Sequence, residues 1–408
     1  MTSFNHLRID KPDTMQNEKV HITVEGLEPN ALYRLVMSLE HLYGKHKAFA
    51  VFKADDSGHI DVKRDAPLRG TYAGADPMGL FLSQRATPDF PYGGYLRCTP
   101  PIPFYYDLEL YDLAGNHIET MTIKKHWMHP QLKRTEIKSH GFYGTEFRPP
   151  GDGPYPCVVD ISGTGGGLHE HKGSMLASEG FVVLCVAFFQ FKDLPNKLED
   201  VDITYFQFKA IVSINGPHSQ SHYMSIKENG EQMTQVPFDD SRHYFLNSIM
   251  ITGPCFASPT ENLTPENEIP WERIPKDAKV RLVTSVDDLV CCSVHTNNYR
   301  LKRLRETGHH VEIEYCNGGH IMEPPYFPHH ELVYAKFQAL HGKSQEVTWA
   351  HTIEFFIRNL GEPAHMPDWD RLTRIVKPTI EEQKKFAKQI EAQSQQPQPQ
   401  QQQQLSKI

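Results

Sequence analysis

The sequence predicts two domains of different class: an all-β sandwich, then an α/β domain on a mostly parallel sheet. Three observations predict this. The chain has 408 residues, more than one core usually serves, and 39% of them are hydrophobic, enough for two. Up to about residue 140, short alternating segments are separated by turn residues. From residue 143, unbroken apolar strands alternate with helical segments.

Residues 1–15 are polar and are expected to form a flexible N-terminus. The sandwich is expected over 16–140. In KVHITVEG, Val20, Ile22 and Val24 share a face before a turn at Gly26. ALYRLVMSLEH reads as the next strand. AFAVFKADDSGHIDV is expected to be a hairpin turning at Asp56-Ser57-Gly58. PFYYDLELYDLAGNHIETMTI alternates Phe104, Tyr106, Leu108 and Leu110, then turns between Asp112 and Gly115. Short strands with regular turns predict an immunoglobulin-like sandwich.

The α/β domain is expected over 143–365. YPCVVDISG and FVVLCVAFF read as buried strands of a parallel sheet, and KAIVSING, VRLVTSVDD and VEIEYC as further strands. HEHKGSMLASEG reads as a helix ending at Gly180, and NKLEDVDITYFQF as another. SVHTNNYRLKRLRETG is an amphipathic helix with Gly308 as its C-cap. EVTWAHTIEFFIRNL closes the domain, with Trp349, Ile353, Phe356 and Leu360 on one face. The extension 366–408 ends in a glutamine- and proline-rich stretch that cannot build a core and is expected to be disordered.

Composition excludes several classes. A net charge of −8, from 42 basic and 50 acidic residues without a basic block, argues against nucleic-acid binding. Cys98, Cys157, Cys185, Cys255, Cys291, Cys292 and Cys316 are odd in number and form no C-x-x-C pair, as in a reduced intracellular protein. The N-terminus has no apolar h-region, and no apolar run is long enough to span a bilayer. His169 with His171, His309-His310 and His329-His330 lack metal-ligand spacing, so neither metal nor cofactor is expected.

The candidate chemistry lies at strand ends. In α/β-hydrolases the triad follows the order nucleophile, acid, histidine, each on a loop after a strand. Asp287-Asp288 follow VRLVTSV directly, a helix intervenes, and His320 follows the strand VEIEYC on an Asn-Gly-Gly turn. Two aspartates there could also cap the next helix, and His320 could be a plain loop residue. The glycine-rich loop Gly163, Thr164, Gly165, Gly166, Gly167 follows the first α/β strand, where backbone N–H groups can cradle an oxyanion. It matches neither G-x-x-x-x-G-K-[ST] nor G-x-G-x-x-G.

Together these residues resemble the acyl-CoA thioesterase / bile acid-CoA:amino acid N-acyltransferase family, over residues 16 to 365. The resemblance rests on GLEPN, ADDSGHIDV and GTYAGADPMGL, on FRPPGDGPYPCVVDISGTGGGLHEHKGSMLASEGFVVLCVAFF, and on DLPNKLEDVDITYF, AIVSING and GGHIMEPPYFP. It implies an α/β-hydrolase domain, cleavage of fatty acyl-CoA to free acid and CoA, and in some members transfer of the acyl group to glycine or taurine. It also implies a triad of Ser (Cys in the transferases), Asp and His. By matched position Asp288 takes the acid's place and His320 the base's.

The nucleophile is missing. Neither G-x-S-x-G nor G-x-C-x-G occurs in the chain. Tyr205-Phe206 run into AIVSING with only Gln207, Phe208 and Lys209 between, where the family has helix, nucleophile strand, elbow and helix. Those elements need roughly 35 to 40 residues. The sheet is therefore expected to lack its nucleophile strand and flanking helices, exposing apolar faces of its neighbours. Ser162, Ser174, Ser213 and Cys157 are not in elbow settings. The chain is thus expected to be a thioesterase by descent, either an inactive isoform or an incomplete gene model, with a non-catalytic acyl-CoA- or partner-binding protein and an N-acyltransferase as alternatives. The N-terminal sandwich argues against a dienelactone-type hydrolase. The terminal Ser406-Lys407-Ile408 is one residue from the Ser-Lys-Leu address, which predicts recognition by a peroxisomal import receptor, with the cytoplasm as the other expected location.

Overall fold

The computed structural model describes residues 5–88, 96, 98–139, 142–163, 165–201, 210–220, 226–246, 249–256, 262–329, 338–364, 377–385 and 388. The glutamine-rich tail and Ser406-Lys407-Ile408 lie outside the described residues.

Ten strands build the N-terminal domain: β1 Leu7–Ile9, β2 Asp13–Met15, β3 Ile22–Val24, β4 Leu32–His41, β5 Gly44–Lys53, β6 Ile60–Asp61, β7 Arg69–Gly70, β8 Arg85–Ala86, β9 Phe104–Asp112 and β10 His117–His126. They form a sheet in the order β1-β3-β6 and a larger one in the order β2-β10-β9-β4-β5-β7, with β8 also on β5. Leu7, Ile22, Val24 and Ile60 from the first meet Leu35, Met37, Phe104, Tyr106, Leu108 and Leu110 from the second in one core. The predicted alternation of β9 is thus the inward face of a sandwich.

Two details differ from the sequence expectation. The turn at Asp56–Gly58 exists, with the Gly58 N–H donating to Asp55 O at 2.9 Å, but it closes no hairpin. β6 pairs with β3 of the opposite sheet, whereas β5 pairs with β4 through the tight turn at Leu42-Tyr43. The Leu27 N–H donates to Gly58 O at 3.0 Å and draws the chain across. A Cβ on Gly58 would lie 2.1 Å from Leu27 O, so the corner requires glycine. Residues 1–15, expected to be flexible, carry β1 and β2, which pair with β3 and β10. Strands of three residues are too short for alternation to register in sequence.

The second domain contains β11 Lys133–Ser139, β12 Phe142–Arg148, β13 Cys157–Ile161, β14 Val182–Ala187 and β15 Ala210–Ile214. Two small hairpins follow, β16 Lys227–Glu228 with β17 Glu231–Gln232 and β18 Tyr244–Leu246 with β19 Ile249–Ile251, then β20 Lys279–Ser285 and β21 His310–Cys316. Helices among the described residues include α1 Gly79–Leu82 in the sandwich, then α2 His171–Ser178, α3 Ser293–Glu306 and α4 Gln338–Leu360. Of the helix expected in NKLEDVDITYFQF, the described part is a 3-10 turn at Leu198–Asp200; the rest lies outside the described residues.

The sheet is interrupted. One part has the order β11-β12-β14-β13 and the other β15-β20-β21, with β13–β14, β15–β20 and β20–β21 parallel. Among the described residues no ladder joins β13 to β15. The break falls where the nucleophile strand is missing from the sequence. Val159 of β13 is 42% exposed and Ile214 of β15 is 37% exposed, which matches the loss of cover expected beside a removed strand. Both parts share α4: Phe355 and Phe356 pack in one cluster with Val158 and Val183, and Ala210 and Val212 pack against it.

The stretch after His320 locks the two domains together. Tyr326 and Phe327 are buried in the sandwich core. Phe327 packs against Trp127 at a tilt of 60°, with ring centroids 5.3 Å apart. The Gln16 amide donates to Tyr326 O at 2.7 Å, and His329 Nε2 lies 2.7 Å from Leu82 O.

Phe355→Ala should lower unfolding free energy by about 3–5 kcal/mol, as for other buried aromatic truncations, measurable as a shifted urea midpoint. A pH effect is also expected. Lys125 is fully buried, donating from Nζ to Met15 O at 3.2 Å and Glu18 O at 2.5 Å. Desolvation lowers its pKa to about 7 despite those acceptors. Unfolded lysine titrates at about 10.4, so between these values the unfolded chain binds more protons. Unfolding free energy should then rise with pH across that window, by at most about 1.4 kcal/mol per pH unit. Lys125→Met should flatten the rise in denaturation measured from pH 6 to 10.

Candidate active site

Three parallel strands deliver their C-terminal ends together. β15 ends beside Asn215, β20 before Asp287-Asp288, and β21 before the Asn317-Gly318-Gly319 turn that carries His320. Loops at that edge are where open α/β sheets place their chemistry.

Asp288 and His320 are brought together. Asp288 Oδ2 lies 2.9 Å from His320 Nδ1. The carboxylate is 1% exposed and the imidazole 26% exposed. Asp288 also accepts from the Val290 N–H at 2.8 Å, the Cys291 N–H at 3.1 Å and the Ser293 hydroxyl. These contacts fix the turn that leads into α3. They are not a helix cap, because the N-cap position belongs to Cys292. With a carboxylate on Nδ1, the neutral ring keeps its proton there and Nε2 is the basic nitrogen. Among the described residues nothing hydrogen-bonds to Nε2. Asp287 points its backbone N–H at Gly318 O, 3.2 Å away.

Asn215, not among the residues expected from the sequence, is central. Its Nδ2 donates to His320 O at 2.8 Å, Gly319 O at 3.2 Å and Ser285 Oγ at 2.9 Å. Its Oδ1 accepts from the Ser285 N–H at 2.8 Å, and its own N–H donates to Val283 O at 3.0 Å. One side chain thus joins the ends of β15, β20 and β21. Its φ of 48° is left-handed, which asparagine tolerates. An Asn-Gly pair at the end of an apolar strand was the available signal.

Further contacts fix the His320 loop. The Gly319 N–H donates to His341 Nδ1 of α4 at 2.9 Å. Glu323 Oε2 lies 2.7 Å from His171 Nε2 and 3.4 Å from Lys172 Nζ, both on α2. The glycine-rich loop immediately precedes α2, so this pair links its helix to the histidine's loop.

Within the glycine-rich loop the N–H groups divide. Gly166 donates to Gly163 O at 3.1 Å and Gly167 to Phe189 O at 2.8 Å, so both are used in the loop itself. Gly163 and Gly165 donate to no described residue and border open space. Thr164 lies outside the described residues.

No described serine or cysteine meets His320. Ser162 donates to Gly167 O at 3.3 Å, and buried Ser174 donates to Trp127 O at 2.9 Å. Ser213 accepts from Arg300 Nη2 at 2.9 Å. Cys157 is exposed on β13. Cys291 and Cys292 share the turn with Asp288, but burial first and the Asp288 charge second push both thiols up, which disfavours thiolate. Among the described residues no cluster of three or more His, Cys, Asp or Glu could hold a metal.

Comparison with known proteins adds lineage. The acyl-CoA thioester hydrolase/BAAT N-terminal region matches residues 17–139, and the BAAT/acyl-CoA thioester hydrolase C-terminal region matches 201–362. The chain is 28% identical to acyl-coenzyme A amino acid N-acyltransferase 1 of Mus musculus, covering 85% of this chain and 96% of that protein. It is 28% identical to acyl-coenzyme A thioesterase 1 of Homo sapiens, over 85% of this chain and 94% of that one. Against the peroxisomal succinyl-coenzyme A thioesterase of Mus musculus the identity is 25%, with the same coverages. The first alignment extends over 406 residues while using 85% of this chain's 408. Several dozen residues of that relative therefore have no counterpart here.

Asp288→Asn replaces a pure acceptor with a group that can also donate, so the neutral His320 ring should lose its preference for Nδ1–H. Imidazole 15N shifts would read this; an unchanged tautomer would mean that Asp288 does not orient the ring. Asn215→Ala leaves several buried acceptors unsatisfied and should cost about 1–3 kcal/mol, with faster amide exchange at Ser285 and Gly319.

Proposed function

This chain carries both domains of the acyl-CoA thioester hydrolase/BAAT family and belongs to it, and from that membership we propose that Asp288 and His320 are the acid–base pair of a fatty acyl-CoA thioester site without a nucleophile of its own. The observation that carries this is the 2.9 Å Asp288–His320 contact with Nε2 left unbonded among the described residues. In thioester cleavage Nε2 takes the nucleophile's proton and returns it to the departing CoA thiolate, while the acid holds the ring. Among the described residues of the loop, Gly163 and Gly165 are the N–H groups left for an oxyanion. The other half of such a hole is the N–H after the nucleophile, which this chain lacks.

The chain is therefore a binder of fatty acyl-CoA that does not turn it over. Transfer to an amino acid, the activity in one relative's name, needs the same nucleophile and is barred with hydrolysis. Purified protein should bind palmitoyl-CoA yet hydrolyse it no faster than His320→Ala does, since loss of a triad nucleophile removes nearly all of kcat. Turnover that His320→Ala abolishes would overturn this. For location, Ser406-Lys407-Ile408 at the chain's end and a relative named as peroxisomal support import by the receptor that reads Ser-Lys-Leu, with the cytoplasm as the alternative. A fluorescent reporter fused to residues 391–408 should become punctate, and a diffuse signal would favour the cytoplasm.

A further inference from the structure

We propose that the outward face of the larger sandwich sheet holds a binding site for a small phosphorylated ligand that carries a flat ring, of the class of a nucleoside monophosphate. A cavity of about 220 Å³ opens there, lined by Arg34, Val36, Lys47, Ala48 and Phe49. Tyr33, Leu35 and Met37 of β4 point into the sandwich core, so Arg34 and Val36 between them point away from it. Lys47 and Phe49 alternate in the same way with the core residues Ala48 and Ala50 of β5. The site is therefore on the opposite side of the sheet from Tyr326 and Phe327, and it does not depend on the thioester reading of Asp288 and His320.

Strand register gathers cations around the cavity. Arg34 and Arg69 stand on either side of Val51, roughly 10 Å apart at two strand spacings. Lys47 stands directly opposite Arg85 of β8. Like charges in directly opposed positions destabilise a sheet. Two residues away, Lys45 instead faces Glu40 of β4 and pairs with it at 2.9 Å. Among the described residues, none of Arg34, Lys47, Arg69 and Arg85 makes an ion pair with a carboxylate. Glu109 of β9 stands opposite Val36, but it accepts from the Tyr111 hydroxyl at 3.0 Å. Asp107 accepts from Thr122 at 2.8 Å and from Lys377. Excess positive charge thus remains beside the cavity, at a cost to the sheet that a bound anion removes.

The lining specifies the ligand. The Arg34 guanidinium lies 4.9 Å from the centroid of the Tyr111 ring, which orients it. Its Nε is shielded from solvent and has no hydrogen-bond partner. A buried donor left unpaired is costly, and a phosphate oxygen satisfies it while a second oxygen takes another bond from the same fork. Lys47 supplies a further positive charge. Phe49 is exposed, and Val36 and Ala48 are apolar, so the remaining wall offers a face on which a ring can stack. The volume is below the roughly 300 Å³ at which ordinary small-molecule sites begin, which suits one ring and one phosphate and excludes a dinucleotide.

The test is isothermal titration of the full chain with AMP, which should give saturable binding that weakens as salt is raised. Adenosine and inorganic phosphate should each bind roughly tenfold more weakly. Arg34→Gln should weaken AMP binding about tenfold, the loss of a charged hydrogen bond. Lys47→Gln should also weaken it while raising the thermal midpoint, because the opposition of Lys47 and Arg85 is relieved. A residue with a purely structural role would not move affinity and stability in opposite directions. No saturable binding of AMP, equal binding of inorganic phosphate, or wild-type affinity in both variants would overturn the proposal. So would binding to phosphatidylserine vesicles that AMP does not displace, since the face would then serve a membrane surface.

Discussion

The second domain depends on α4. A parallel sheet is stable when helices cover both faces and its strands are paired through the centre. Here the pairing stops between β13 and β15, so continuity must come from packing. Phe355 and Phe356 provide it by contacting the β13–β14 side while Ala210 and Val212 of β15 close on the same cluster. Aromatic side chains suit this work, since each buries a large apolar area without needing the register of a hydrogen-bond ladder. The cost is on the opposite face, where Val159 stays in solvent.

The same helix reaches the candidate site. His341, near the start of α4, accepts from the Gly319 N–H. Asn215 ties the next carbonyls to β15 and β20, and Glu323 ties the loop to α2. Tyr326 and Phe327 then leave the α/β domain and enter the sandwich core. The position of His320 is thus set by elements from both domains, and burial of its neighbours limits how far the ring can move.

Much of this was legible in the sequence, and the misses share causes. Long apolar runs such as FVVLCVAFF announced buried strands, and strand–acid–helix–strand–histidine order brought Asp288 and His320 into view. Absence of an elbow foretold the interrupted sheet. What escaped was tertiary. β6 leaves the expected hairpin because it pairs with β3, helped by the Leu27 N–H bond to Gly58 O, which no local pattern encodes. The importance of Asn215 lies in four hydrogen bonds to three residues far away in sequence. PPYFP is distinctive as a string, yet its aromatic residues prove to serve the domain interface.

An acid–base pair can keep its geometry without a nucleophile because the forces that position it are separable from catalysis. Three donors on its own turn hold the Asp288 carboxylate before His320 is considered. Removing them would disturb the entry to α3, so the acid's place is a folding requirement. The backbone of His320 is fixed by Asn215, whose loss would uncouple three strand ends. Neither set of contacts crosses the break between β13 and β15, so the interruption releases neither partner. The pair is thus preserved by packing that does not depend on the continuity of the sheet.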